Sequence, residues 1–378
     1  MPELTVYRLT FAGGLHVGAR GVDLAESSVS VPSDTLLAAL LDAHCRAGGQ
    51  IENWFIPPAE PDASTRDCAY RITSAFPYAG EVYFFPMPVP AQVFFSNSLL
   101  QDRRKDVKRI RFVSEGILRK MLAGKLLDDW LFPKDEKAEP TTGVALQGGA
   151  LWLTLAECER LPDVLRHDAK TNKPIPPRAL RRHAVYAETT VPRVTVNRIN
   201  SAANIFHAGR VTFAAGCGLW FGLSGQPPAD LTRALQMLSE DGLGGERAAG
   251  YGVFSWSVAP QPLALPDPSP NGAALLLSRY HPRAGEIAAL QRPGAAYELT
   301  AVAGWLRTWD GAAQRRRRLR LLREGSVVYL PGSGPWGDVV DVRPTYENPA
   351  DDLPHPVWRA GLALAVGWPY SSQGGQDA

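Results

Sequence analysis

The run Val6-Tyr7-Arg8-Leu9-Thr10-Phe11 alternates between apolar and polar positions and stops at Gly13-Gly14, the period of a half-buried strand. Beyond it the spacing changes. Leu36, Leu37, Leu40, Leu41 and Cys45 recur at helical intervals behind Pro32-Ser33-Asp34, which predicts a capped helix. Residues 83–95 are largely apolar, yet Pro86, Pro88 and Pro90 interrupt them, so an edge strand or loop is expected there. Helical spacing returns over 115–130. Residues 146–155, 191–196 and 210–213 read as strands, and 231–240 as a helix.

Five prolines fall between Pro260 and Pro270, the strongest break in the pattern. After it come short apolar runs at 273–278, 297–302, 317–322, 327–330, 339–342 and 362–366, which suit a smaller, strand-rich unit. The expected organisation is a first domain over 1–259, a proline-rich linker over 260–271, a second domain over 272–370 and a disordered polar tail at 371–378. A chain of 378 residues, 45% of them hydrophobic, is long enough for two cores.

Four cysteines, Cys45, Cys68, Cys158 and Cys217, stand far apart without a CxxC pair, against both a zinc site and a disulfide framework. The first residues lack the basic and apolar regions of a signal peptide, and no run approaches the roughly eighteen apolar residues of a membrane span. A reduced, cytoplasmic chain without metal, cofactor or membrane is expected.

The net charge of +2 conceals segregation. Residues 103–120 carry eight basic and two acidic side chains, 178–210 six and one, and 315–323 six and none, leaving the remainder acidic. Each basic island reads either as a phosphate-contacting surface or as a solvated face.

Residues 241–254 hold five glycines around Glu246 and Arg247. A loop so stripped of side chains either brings its backbone close to a phosphate or forms a tight turn. No Gly-Lys-Ser/Thr follows, and the strand-like VFSWSV comes where a dinucleotide site needs a helix, so a nucleotide cofactor is not expected. The run from Ala249 to Phe254 echoes the RNP1 pattern of RNA-recognition domains without its leading basic residue.

Four ordered motifs resemble a known family. They are Leu15 to Gly18 with the Ser33-Asp34-Thr35-Leu36 helix start; the segment VPRVTVNRINSAANIFHAGRVTF; the loop from Gly242 to Phe254; and Glu324-Gly325-Ser326 with His355-Pro356-Val357. Together they are similar to the RAMP-superfamily Csm protein that forms the fourth subunit of type III-A CRISPR effector complexes. The resemblance implies an α+β fold of two ferredoxin-like, RNA-recognition-type domains, the first carrying a β-hairpin thumb and the glycine-rich loop. It also implies a subunit that holds the 5′ repeat-derived tag of CRISPR RNA beside the large polymerase-cyclase subunit and a backbone RAMP subunit, meeting target RNA indirectly and having no catalysis of its own.

Single-stranded RNA is held by basic side chains and amides on phosphates and by aromatic or guanidinium planes on bases. In the loop, Gly244, Gly245 and Gly250 offer close backbone approach, Arg247 charge, and Tyr251 a stacking ring. In the thumb segment, Arg193, Thr195 and Asn197 alternate with valines, so a polar face is expected, with Arg198 and His207 beyond it. Asn197 stands where the family has aspartate. His16, Gly18 and Ser33 join the candidates from the first turn and helix start. Arg103, Arg104, Lys105, Lys108, Arg109 and Arg111 either line the RNA path or form an exposed loop, while 315–318 suits a solvated strand or subunit contact. The enzymatic alternative is a metal-independent, repeat-processing endoribonuclease using His44, which however falls on or beside the apolar helix face.

Overall fold

The computed structural model describes residues 3–18, 25–56, 65–133, 135, 138–197, 199, 203–306, 314–347, 353 and 355–369. Arg198 and the tail 371–378 lie outside them.

The chain is a mixed α+β protein organised on one ten-stranded sheet. Reading across it, the strands are Phe254–Val258, Glu3–Phe11, Cys217–Gly225, Phe76–Ala79, Val82–Pro86, Phe112–Ser114, Leu151–Thr154 and Gly143–Leu146. Tyr70–Ile72 and Leu263–Ala264 add to its flanks. All pairings are antiparallel except Phe112–Ser114 with Leu151–Thr154. The two periodic helices, Ser33–Arg46 and Leu231–Asp241, pack on each other and bury Leu36, Leu37, Leu40 and Leu41 against Ala234, Leu235 and Leu238 in the common core. Trp220 lies at its centre, ringed by Phe76, Tyr83 and Phe85, and donates its indole N–H to the Phe84 carbonyl at 3.0 Å.

Three elements depart from the periodic reading. Val82–Pro86 is fully buried inside the sheet, because Pro86 ends the strand while Pro88 and Pro90 fall in the turn beyond it. Helical spacing over 115–130 yields two helices, Glu115–Leu122 and the single turn Asp128–Leu131, separated at Gly124 with its φ of 68°. The run 146–155 is a hairpin, since Gln147, Gly148 and Gly149 all take positive φ and reverse the chain between Gly143–Leu146 and Leu151–Thr154.

The C-terminal residues from 272 onward, the second unit for short, build a three-stranded sheet centred on Ala273–Leu276 and flanked by Val327–Tyr329 and Ala365–Gly367. Its alternation is two-sided: Leu275 joins the main core, whereas Ala274 and Leu276 build a smaller core with Tyr280, Leu322 and Val328. The segment expected as a free linker is partly ordered against the first unit, with Leu263 opposite Leu4 and Ala264 opposite Glu3.

The segment Pro32-Ser33-Asp34 is expected to cap its helix, and Ser33 to meet RNA. It serves the junction between the units instead. Pro32 is the N-cap and supplies no side-chain bond. Ser33 is buried, donating its N–H to Ser74 Oγ and accepting from the Arg279 N–H, both at 2.8 Å. Asp34, 1% exposed, pairs with Arg359 of the second unit at 2.5 Å. Beside them Arg279 Nε meets Glu324 Oε1 at 3.0 Å, and Ser74 donates to the same carboxylate. Asp34 also sits in the first helical turn, where the helix dipole favours a negative charge.

Candidate nucleic-acid interface

Three segments distant in sequence converge around His16. Gly245 donates its N–H to the His16 carbonyl at 2.8 Å, Gly252 donates to Gly14 at 2.8 Å, and Leu15 exchanges both backbone bonds with Val211. The His16 ring is buried, its Nδ1 lying 2.8 Å from the Gly209 carbonyl. The glycines earn their place here sterically. A Cβ on Gly244 would lie 2.3 Å from the His16 carbonyl, and one on Gly252 would lie 2.1 Å from that of Leu243. The glycine-rich loop is thus welded to the first turn and, through His16, to the base of the long hairpin.

That hairpin pairs Tyr186–Val196 with Ala203–Phe213 over eleven residues, longer than its two predicted strands. Alternation holds: Arg193 and Thr195 share a face with their partners Phe206 and Asn204, while Val194, Val196 and Ile205 occupy the other. Towards the tip both faces are exposed, Asn197 and His207 included. Asn197 uses its carbonyl oxygen to accept from the Ile199 N–H at 2.8 Å, closing a local turn.

Arg193 joins hairpin to loop. Its guanidinium lies 4.9 Å from the Tyr251 ring centroid and 3.9 Å from the Glu246 carboxylate. This placement changes two expectations. Tyr251, expected as a stacking platform, is 6% exposed and packs beneath Arg193. Glu246 faces Arg193, while Arg247 has no side-chain partner among the described residues. Arg247 instead lines a cleft of about 310 Å³ together with Gly18, Thr35, Asp42, Gly244 and Gly245. Arg193→Ala is expected to lower stability by about 1 kcal/mol or less. It should nevertheless accelerate amide exchange over residues 246–252 in hydrogen–deuterium exchange; unchanged protection there would remove Arg193 as the link.

A larger cleft runs between the units. Volumes of about 960 and 640 Å³ adjoin and share Ser28, Ser30, Arg111, Arg323 and Glu324 as walls. Arg104 and Lys108, on the helix Asn97–Arg109, line one end; Gly18, Thr189, Thr190 and Arg210 line the other. Several cations are already paired, Arg111 with Glu188 at 2.8 Å and Arg323 with Glu298 at 2.7 Å. Arg104 and Lys108 have no side-chain partner among the described residues, and Arg279 Nη1 is a buried donor without an acceptor. A cleft with free cations, hydroxyls and an orphaned guanidinium N–H fits a phosphodiester chain.

Arg103 and Lys105 do not join it. Arg103 turns to a separate groove with Phe132 and Trp152, and Lys105 is exposed on the helix. Arg111, one of the basic residues weighed for the RNA path, does line the cleft, whereas Arg210, Arg279 and Arg323 escaped the sequence-based site, although two of them lie in its basic islands. Neighbourhood across the units decides their role, and only the Glu324-Gly325-Ser326 motif pointed towards it.

His44 is 1% exposed, its Nε2 3.0 Å from the Gln50 carbonyl and its ring 5.2 Å from that of Trp54. A Cβ on Gly49 would fall within 2.1 Å of that ring. An imidazole packed this way has no approach for a ribose hydroxyl. Burial also pushes the Cys68, Cys158 and Cys217 thiols up to about 12. Among the described residues no His, Cys, Asp and Glu cluster has metal-site geometry, and no helix is long and apolar enough to cross a membrane.

Residues 269–368 match the family described as the CRISPR Csm4 C-terminal domain. A Csm4 protein of the CRISPR system of Mycobacterium tuberculosis (strain CDC 1551 / Oshkosh) is 26% identical over 352 residues, 91% of this chain and 94% of the relative. Over nearly its whole length the chain is similar to Csm4 proteins, and residues 269–368 match their C-terminal domain. Csm4 of Thermococcus onnurineus (strain NA1) is 24% identical over 300 residues, 79% of each chain. In fold, the chain is similar to one in the crystal structure of the Csm3-Csm4 subcomplex of the type III-A CRISPR-Cas interference complex, with a TM-score of 0.57 at 14% identity, covering 96% of this chain and 98% of that one. A chain of the Csm1-Csm4 cassette crystallised with pppApA gives a TM-score of 0.52 at 17% identity, covering 98% and 100%. These likenesses bear out the resemblance drawn from the four ordered motifs.

Proposed function

We propose that this chain is the RNA-binding, non-catalytic Csm4 subunit of a type III-A CRISPR effector. It holds the 5′ repeat-derived tag of CRISPR RNA and links the large polymerase-cyclase subunit to the first backbone subunit in the cytoplasm. The observation that carries this reading is the cleft between the units, with its unpaired Arg104 and Lys108 and the orphaned Arg279 N–H. The fold likeness to chains of the Csm1-Csm4 and Csm3-Csm4 assemblies supports the two protein partners.

Strand order Phe254–Val258, Glu3–Phe11, Cys217–Gly225, Phe76–Ala79, with Ser33–Arg46 and Leu231–Asp241 as the connecting helices, supports a ferredoxin-like first domain. Residues 80–216 are then an insertion that carries the hairpin thumb. The second domain over 272–370 is read as a reduced relative of the same plan. The packed ring of His44 argues against the repeat-processing ribonuclease.

Replacing Arg104, Lys108 and Arg210 together by alanine is expected to reduce CRISPR RNA retained by the assembled complex about tenfold at moderate salt, since each removes a phosphate contact. Quantifying RNA that co-purifies with the complex tests this. Unchanged RNA stoichiometry would show that the cleft is not the RNA path.

A further inference from the structure

The basic island of the second unit borders the cleft without belonging to it. Strand Leu299–Val302 pairs with Leu319–Leu322, and the ladder continues outward as Trp305–Leu306 with Gln314–Arg315. At its inner end Leu299, Thr300 and Arg323 line the cleft. Along its outer part Arg315, Arg317, Arg318 and Arg320 are exposed, and Trp305 is 57% exposed with the Arg315 guanidinium 4.6 Å from its ring centroid.

Residues 314–323 contain six arginines and no acid. Arg317 donates to the Asp341 carbonyl, whereas Arg318 and Arg320 have no side-chain partner among the described residues. Arg320 lies opposite Ala301, so no carboxylate faces it across the ladder. Like charges this close repel one another until a polyanion neutralises them. A large exposed ring with a guanidinium over it adds a platform for a base.

We propose that the paired segments 299–306 and 314–322 form a single-stranded RNA-binding surface that prolongs the cleft. Arg315, Arg318 and Arg320 are its phosphate contacts and Trp305 its stacking platform. The path, though not the chemistry, rests on the reading of the cleft as an RNA channel. An acidic protein partner would satisfy the arginines but would leave the Arg315–Trp305 stack and its continuity with the cleft without a role.

The test is fluorescence anisotropy on the full chain with labelled single-stranded oligouridylates, one long enough to fill the cleft only and one long enough to reach Trp305. Arg315→Ala/Arg318→Ala/Arg320→Ala is expected to weaken the long RNA roughly tenfold to a hundredfold and to lower its salt slope by about 2, while leaving the short RNA unchanged. Trp305→Ala should weaken the long RNA alone, with the salt slope kept. Circular dichroism and thermal melting check that each variant is folded. Equal binding of the long RNA by wild type and both variants overturns the proposal, as does a loss confined to protein pull-down. The Arg104→Ala/Lys108→Ala/Arg210→Ala variant reports separately on the cleft: if it binds both RNAs normally, the cleft reading fails while the ladder result stands. In the assembled complex, ultraviolet crosslinking to the ladder followed by sequencing separates guide from target RNA as the strand, and the absence of any RNA crosslink counts against the surface.

Discussion

Asp34→Ala is expected to destabilise the protein by about 3–5 kcal/mol, the cost of leaving a buried charge without its partner. The environment makes this the worse half of the pair to lose. Arg359, 7% exposed at its side chain, would remain with no counter-ion. Arg316 stands close enough to feel both partners: burial first, and then the Arg359 charge, push its guanidinium down to about 10, with Asp34 acting in the opposite direction. Removing Asp34 leaves these two cations facing each other. Removing Arg359 lets Arg316 take over the carboxylate, so Arg359→Ala should cost less. Urea unfolding followed by tryptophan fluorescence gives the ranking; a smaller loss for Asp34→Ala than for Arg359→Ala would contradict this view of the junction. An apolar pair at both positions should recover most of the loss, because Asp34 Oδ1 and Arg359 Nε are buried without hydrogen bonds and the native pair is under-satisfied.

Gly252→Ala is the second substitution expected to be severe, at about 3 kcal/mol or more. Gly252 has a φ of 81°, and a Cβ there would lie 2.1 Å from the Leu243 carbonyl and 2.7 Å from its nitrogen. Both groups are backbone and cannot rotate away. Relief requires breaking the bonds from Leu243 N to Gly252 O and from Gly252 N to Gly14 O, at 2.9 and 2.8 Å. The loop would then lift from His16 and from the hairpin. Gly250 is the internal control, since its φ of 79° is similar but its Cβ direction is open. Gly250→Ala should cost only the left-handed backbone term, about 1–2 kcal/mol. Thermal melting of the two variants decides the matter, and equal losses would mean that the contact with Leu243 is irrelevant.

Local periodicity carried the parts of the fold that depend on one face of one element. The first strand, the helices Ser33–Arg46 and Leu231–Asp241 and the short strands of the second unit announce themselves because each shows a buried face at its own period. Signals failed where a single residue mattered more than the run around it. Pro86 looked like an interruption but is a terminus, and Gly148-Gly149 looked like part of a strand but is its reversal.

The site was legible as a set of residue types and illegible as an arrangement. Of the glycines read as points of close approach, Gly244 and Gly245 meet the chain's own His16, whereas nothing lies within 4 Å of a Cβ on Gly250; Gly252, against Leu243, makes the tightest approach. Tyr251 reads as a ligand-stacking ring until Arg193, fifty-eight positions earlier, is found lying over it. Ser33 and Glu324 belong to one hydrogen-bonded cluster built across the units, which no local pattern encodes.

The walls of the central cleft come from both units: Ser28, Ser30 and Arg111 on one side, Arg279, Arg323 and Glu324 on the other. An anionic strand lying in it therefore acts as a tie between them, bound only while they stand together. Such a ligand, at a hundred times its dissociation constant, adds about 2.7 kcal/mol to the cohesion of the two halves. That is close to what a buried ion pair at the junction withholds when one partner is lost. A strand held in the cleft would thus also fasten the chain that holds it.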